Sequence, residues 1–207
     1  MNSWQEEIVI TLANHIRVCS LEQIRRTWWP RQRSGKQRAT ECIQLLEKNK
    51  LVRMRKVFSR PIQRLDAPLL FWQHGDPHPD FQAMANCLRR RARTEAEVIP
   101  VVTAEPRGRR LFGVGERRTL KLAQITHDLH VAEVFFRYYE SGTDVFRHWV
   151  GEDSMPRLLM KIRPDALICD DVGGIVRAVE YGGEYTDNRL FRLHEGFYER
   201  AMAYEIW

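Results

Sequence analysis

The apolar positions fall into a sequence of short periodic runs. From Gln5 to Arg17, Ile8, Leu12, Ala13 and Ile16 recur at helical spacing. Ser20 is a good cap for a second helix with Leu21, Ile24 and Trp28 on one face, and Pro30 stops it soon after. A basic turn, Arg31 to Gly35, precedes a third helix over 36–48. Its inward stripe is Ala39, Cys42, Ile43 and Leu46. Two strand-like runs follow, 51–58 and 69–72, with Ser59-Arg60-Pro61 as the turn or loop between them.

Beyond residue 73 the pattern changes. His74-Gly75-Asp76-Pro77-His78-Pro79-Asp80 is dense in turn residues and reads as a boundary rather than a metal site. A helix is expected over 80–93, a strand over 97–103 and a weaker strand over 111–114. A long helix from Thr126 carries Leu129, Ala132, Phe135, Phe136 and Tyr139, and ends near Gly142. Strands are expected over 145–150, 163–169 and 175–181. Asp170-Asp171-Val172-Gly173-Gly174 forms the hairpin turn between the last two. A final helix after Thr186 is expected to run almost to the end, with Leu190, Leu193, Phe197, Ala201 and Tyr204 as its stripe.

Three helices, a basic turn before the third and a hairpin after it are the layout of a winged helix-turn-helix. The expected class is α+β: a winged helix over 1–75, a linker helix over 76–94 and a small α/β domain over 95–207. Composition agrees with a globular chain, 43% apolar and 10% aromatic over 207 residues. The four cysteines, at 19, 42, 87 and 169, have no paired spacing, which excludes a zinc finger and argues against a disulfide framework. The start, Met1 to Glu7, is not basic and leads into no long apolar core, so a cytoplasmic protein without a secretory signal or a membrane contact is expected.

The net charge of +6 is unevenly placed. Residues 1–120 hold 23 Lys+Arg and 12 Asp+Glu, and residues 121–207 hold 10 and 15, so the front is +11 and the back −5. A basic front points to a polyanionic partner. On the third helix, Lys36, Gln37, Arg38, Thr40 and Gln44 lie away from the apolar stripe, and Arg33 precedes them. These residue types hydrogen-bond base edges and phosphates in a major groove. Arg53, Arg55, Lys56 and Arg60 would form the wing, where 53 and 55 share a strand face and could track a phosphate backbone.

In the back half, the hairpin turn brings Asp165 opposite Glu180. Two adjacent carboxylates repel unless a cation joins them, which is the geometry of a magnesium site for phosphodiester hydrolysis. Glu133 would be a third ligand. Gly113-Val114-Gly115 is no dinucleotide loop, since Arg118 stands at the third glycine position.

Arg163-Pro164-Asp165-Ala166, followed by Ala178-Val179-Glu180-Tyr181-Gly182-Gly183-Glu184, resembles the Pro-Asp…Glu-x-Lys core of restriction-endonuclease-like proteins. With Thr126-His127-Asp128-Leu129-His130-Val131, it resembles more closely the replication-relaxation family of plasmids and mobile elements, which joins a winged helix to such a core. The motifs cover about 120–207, and the front is similar in architecture only. The resemblance implies a DNA-binding accessory protein in replication, mobilisation or regulation, with duplex DNA, a relaxase or a second copy as partners. Two departures stand out. The family's lysine is Gly182 here, with Lys161 and Arg163 as relocated cations on the strand of Asp165. The expected final helix also occupies the place where the superfamily core continues into a further strand. Without the lysine, the expectation leans against catalysis, and no cofactor is implied. The alternatives are a magnesium-dependent endonuclease using Asp165 and Glu180, with Glu133, and a module that docks a basic protein.

Overall fold

The computed structural model describes residues 1–91, 94–112, 120–142, 144–155 and 162–207. It is α+β, with seven α-helices and two sheets among these residues. The chain divides into two units, each built from two stretches: Met1–Gln63 with Ala96–Thr143, and Arg64–Glu95 with Asp144–Trp207. The boundaries expected at 75 and 95 therefore give way to an interleaved arrangement. Its cause is strand pairing between distant segments. No described helix is long and apolar enough to cross a membrane.

In the first unit, α1 (Ser3–Ile10) starts at a capping box. Asn2 Oδ1 accepts from the Gln5 N–H at 2.9 Å, and Gln5 Oε1 accepts from the Asn2 N–H at 3.0 Å. One π turn, Thr11–His15, continues it. After the short β1 (Cys19–Ser20), α2 (Leu21–Trp28) opens on a second such box between Ser20 and Gln23. α3 (Gly35–Lys48) buries the stripe Ala39, Cys42, Ile43 and Leu46. Gly35 has no room for a side chain, because a Cβ there would lie 2.9 Å from the Trp29 carbonyl oxygen. These three helices match the periodicity closely.

The strand after α3 pairs otherwise than expected. β2 (Val52–Ser59) runs antiparallel to β4 (Glu97–Ala104) over eight residues, from Val52 opposite Ala104 to Ser59 opposite Glu97. β1 takes the other edge of β4, so the sheet order is β1-β4-β2. The expected partner, β3 (Leu70–Trp72), is too short to satisfy that ladder and joins the other sheet. α5 (Pro106–Leu111) occupies the start of the expected weak strand; residues 113 and 114 lie outside the described residues. α6 (Ile125–Glu140) buries Leu129, Ala132, Phe135 and Phe136, with Trp28 edge-on to Phe136 at 5.8 Å.

In the second unit the sheet order is β3-β8-β7-β6-β5, with β5 (Trp149–Gly151), β6 (Ala166–Cys169), β7 (Ile175–Glu180) and β8 (Tyr204–Ile206). β7 and β8 are parallel, and the remaining pairs are antiparallel. α4 (Phe81–Arg91) and α7 (Asp187–Tyr198) add Leu88, Leu190, Leu193 and Phe197 to a core with Trp72, Leu167, Ala178 and Tyr204. Two expected elements are corrected here. Residues 144–148 form a 3-10 turn, and only Trp149–Gly151 pairs as strand. α7 stops at Tyr198, Ala201 adopts φ +49°, and the chain returns as β8 between β3 and β7. A further strand thus follows the last helix.

Candidate functional site

Two groups of side chains carry chemistry, one in each unit. On α3, Gln37 and Gln44 are exposed opposite the buried stripe, Lys36 and Arg38 are exposed on its two flanks, and Thr40 is half-buried. Thr40 Oγ1 donates to the Lys36 carbonyl at 2.8 Å, and Gln37 Nε2 donates to Glu41 Oε1 at 2.7 Å. Arg33 is exposed in the turn that leads into the helix. The solvent side of α3 therefore presents two amides with Glu41 between two flanking cations, and Arg33 stands ahead of them.

The cations expected in the wing divide between two sheet faces. Arg53 and Arg55 share one face of β2, and Lys56 lies on the other. Arg53 Nε is paired with Glu105 at 2.6 Å. Arg60 is half-buried, and its backbone N–H donates to Thr126 Oγ1 at 3.3 Å. Arg53 and Arg55 thus share a strand face as expected, and Lys56 lies apart from them because successive strand residues alternate sides.

In the second unit, the hairpin register places Ala166 opposite Val179, so Asp165 and Glu180 are the next residues along, as expected. A shift between Ile168 and Cys169 absorbs one residue before the turn, and Asp170 closes it by accepting from the Gly174 N–H at 2.6 Å. The two carboxylates are tied into the backbone. Asp165 Oδ2 accepts from the Tyr181 N–H at 2.8 Å, and Glu180 Oε2 accepts from the Asp165 N–H at 3.2 Å. Glu180 Oε1 accepts from the Tyr185 hydroxyl at 2.6 Å. Burial, then the charges of Glu180 and Asp165, push the Tyr185 phenol far up, so it is a proton donor throughout the physiological range.

Arg189 lies over the Tyr185 ring at 4.1 Å, and its Nη2 donates to the hydroxyl at 3.2 Å. Arg163, Arg189, Arg192, Glu180, Thr186 and Asn188 line an adjoining cavity of about 440 Å³. The sequence reading missed Arg189 and Arg192. Their signal was the Tyr-x-x-x-Arg spacing from 185 to 189 at the start of a helix. Arg163 donates to the carbonyls of Glu152 and Met155, so it is committed to the backbone of its own unit. Lys161 lies outside the described residues.

Glu133 belongs to the first unit, fully buried, where its Oε2 accepts from Gln23 Nε2 at 3.0 Å and from Arg26 at 2.8 Å. Magnesium keeps several waters and takes one or two carboxylates, so Asp165 and Glu180 are the residues here that would hold it. Both oxygens of Glu180 already accept from protein donors, and no group of three His, Cys, Asp or Glu is gathered among the described residues. Position 182 is sterically closed: a Cβ on Gly182 would lie 2.6 Å from a Leu88 methyl.

No protein-family profile, curated protein or solved structure gives a significant match to the chain.

Proposed function

We propose that the chain is a duplex-DNA-binding accessory protein that reads DNA with α3. The observation that carries this reading is the solvent side of α3: Lys36, Gln37, Arg38 and Gln44 exposed on a helix whose apolar stripe is anchored in a core. Its second helix and turn, followed by the sheet order β1-β4-β2, support a winged-helix arrangement with the 64–95 segment inserted between the two wing strands. Lys56 would add a phosphate contact from the sheet. By the family resemblance, the setting would be replication, mobilisation or regulation of a plasmid or mobile element.

The second unit supports a restriction-endonuclease-like layout in its antiparallel β5-β6-β7 run, crossover α7 and parallel β8. We read its Asp165–Glu180 pair as a structural remnant, because hydrogen-bond donors occupy the carboxylates and Leu88 fills the lysine position. The alternative, a magnesium-dependent nuclease, draws on the adjacency of the pair beside a cavity. One experiment separates the readings: incubation with supercoiled plasmid, with and without magnesium, followed by gel-shift analysis. Retardation without nicking supports the accessory role. Magnesium-dependent nicking lost in Asp165→Ala establishes the nuclease, and neither retardation nor nicking refutes both.

A further inference from the structure

On the face of β2 that carries Arg53 and Arg55, the first unit holds a second concavity, of about 290 Å³. Four arginines from separate stretches of chain line it: Arg17 after the π turn, Arg53 and Arg55 on β2, and Arg109 on α5. Thr103, opposite Arg53 in the ladder, adds a hydroxyl, and Glu105 is the carboxylate in the lining.

Two of the four arginines meet a carboxylate among the described residues. Arg17 is paired with Asp128 at 3.4 Å and Arg53 with Glu105 at 2.6 Å, while Arg109 donates to the Ala104 carbonyl at 2.8 Å. Arg55 makes no ion pair with a described residue. Among the described residues, Arg55 and Arg109 face no carboxylate partner, and the planar fork of each offers five N–H donors. Gathering like charges around one concavity raises the local positive potential and favours an anion there. A phosphate dianion carries the complementary charge, and its oxygens suit the planar fork of arginine. The volume is near the lower end for small-molecule sites, which fits a phosphate group or a small phosphorylated molecule.

We propose that this arginine-lined pocket binds a phosphate-bearing small molecule, at a site separate from the α3 face. The proposal goes beyond the DNA-binding reading and does not depend on it.

Inorganic phosphate is the probe. Thermal unfolding and calorimetric titration are followed against phosphate, with chloride at matched ionic strength as reference. The wild-type chain should gain a saturable rise in Tm and a measurable Kd. Arg55→Gln and Arg109→Gln should each weaken that Kd at least tenfold, with far-ultraviolet circular dichroism showing that both fold. Lys36→Gln, which lies on α3, should keep the phosphate response. Its duplex affinity, read by fluorescence anisotropy, reports separately on the DNA reading. The proposal is overturned by a wild-type chain without a saturable response or by an unchanged response in a folded Arg55→Gln variant. It is equally overturned if Lys36→Gln loses the response, or if saturating duplex abolishes it in the wild type, since the arginines would then belong to the DNA face.

Discussion

Leu88 occupies the space that a side chain at position 182 would need. Its two terminal carbons lie 2.6 and 2.7 Å from where a Cβ on Gly182 would stand. Leu88 is itself buried in the core of its unit, so it cannot swing into water. Gly182→Lys should therefore overpack the site and cost about 1–3 kcal/mol in urea unfolding, without conferring magnesium-dependent plasmid cleavage. Cleavage by the lysine variant would show that the centre lacked only that cation.

The α3 face predicts two kinds of DNA phenotype. Replacing Lys36 and Arg38 by glutamine should weaken duplex binding on all sequences. It should also flatten the plot of log affinity against log salt by about 0.9 for each phosphate that is no longer neutralised. Gln44→Ala should leave the salt slope intact and reduce discrimination between sites by about 1–3 kcal/mol if it reads a base edge. Anisotropy titrations over a range of salt measure both, and unchanged slopes in the cation variant would remove α3 from the interface.

Arg26 holds a buried charge. Glu133 is fully enclosed, with Arg26 and Gln23 on one carboxylate oxygen, while Arg26 also reaches Glu140 at 3.0 Å. Arg26→Ala should cost about 3 kcal/mol by urea unfolding, because the carboxylate loses its cation. Replacing both Arg26 and Glu133 by leucine should recover most of that loss. Equal losses in the single and double variants would show that packing, rather than the ion pair, sets the cost.

His194 makes the second unit sensitive to acid. Its Nδ1 lies 2.8 Å from the Tyr204 hydroxyl and its Nε2 lies 2.8 Å from His78 Nδ1. Burial, then the neighbouring His78, lowers the His194 pKa from its ordinary 6.5. The unfolded chain thus takes up this proton at a higher pH than the folded chain. The stability due to neutral His194 is complete above about pH 6.5 and falls as the pH drops toward its lower folded value. His130, lowered mainly by burial in the first unit, acts in the same direction. Tm should fall between pH 7.5 and 5.5, and His194→Gln should flatten the fall. An identical pH slope in the variant would locate the acid sensitivity elsewhere.

The parts of the fold legible in the sequence are those specified by neighbouring residues. Ser20 announces α2, the spacing of Ala39, Cys42, Ile43 and Leu46 orients α3, and the turn after Asp170 brings Asp165 to Glu180. Pairing between distant segments was not legible. Nothing local to Val52–Ser59 indicates that its partner lies at Glu97–Ala104. Tyr204 fits the spacing of the last helix, but Ala201 turns the chain into β8. The candidate site followed the same rule. Its hairpin pair follows from local spacing, whereas the contacts of Glu133 with Gln23 and Arg26 do not, because these partners are remote in sequence.

The place of β8 in its sheet also bears on synthesis. β3 emerges from a ribosome early, and β7 much later, yet both need Tyr204–Ile206 for a ladder partner. Until those residues are released, the nascent chain carries two open strand edges with no backbone partner on that side. β2 similarly waits for β4 across the inserted 64–95 segment. Such dependence on late, distant segments slows folding and leaves apolar strands uncovered while the chain is made. The growing polypeptide should therefore rely on chaperones until Tyr204–Ile206 has been made.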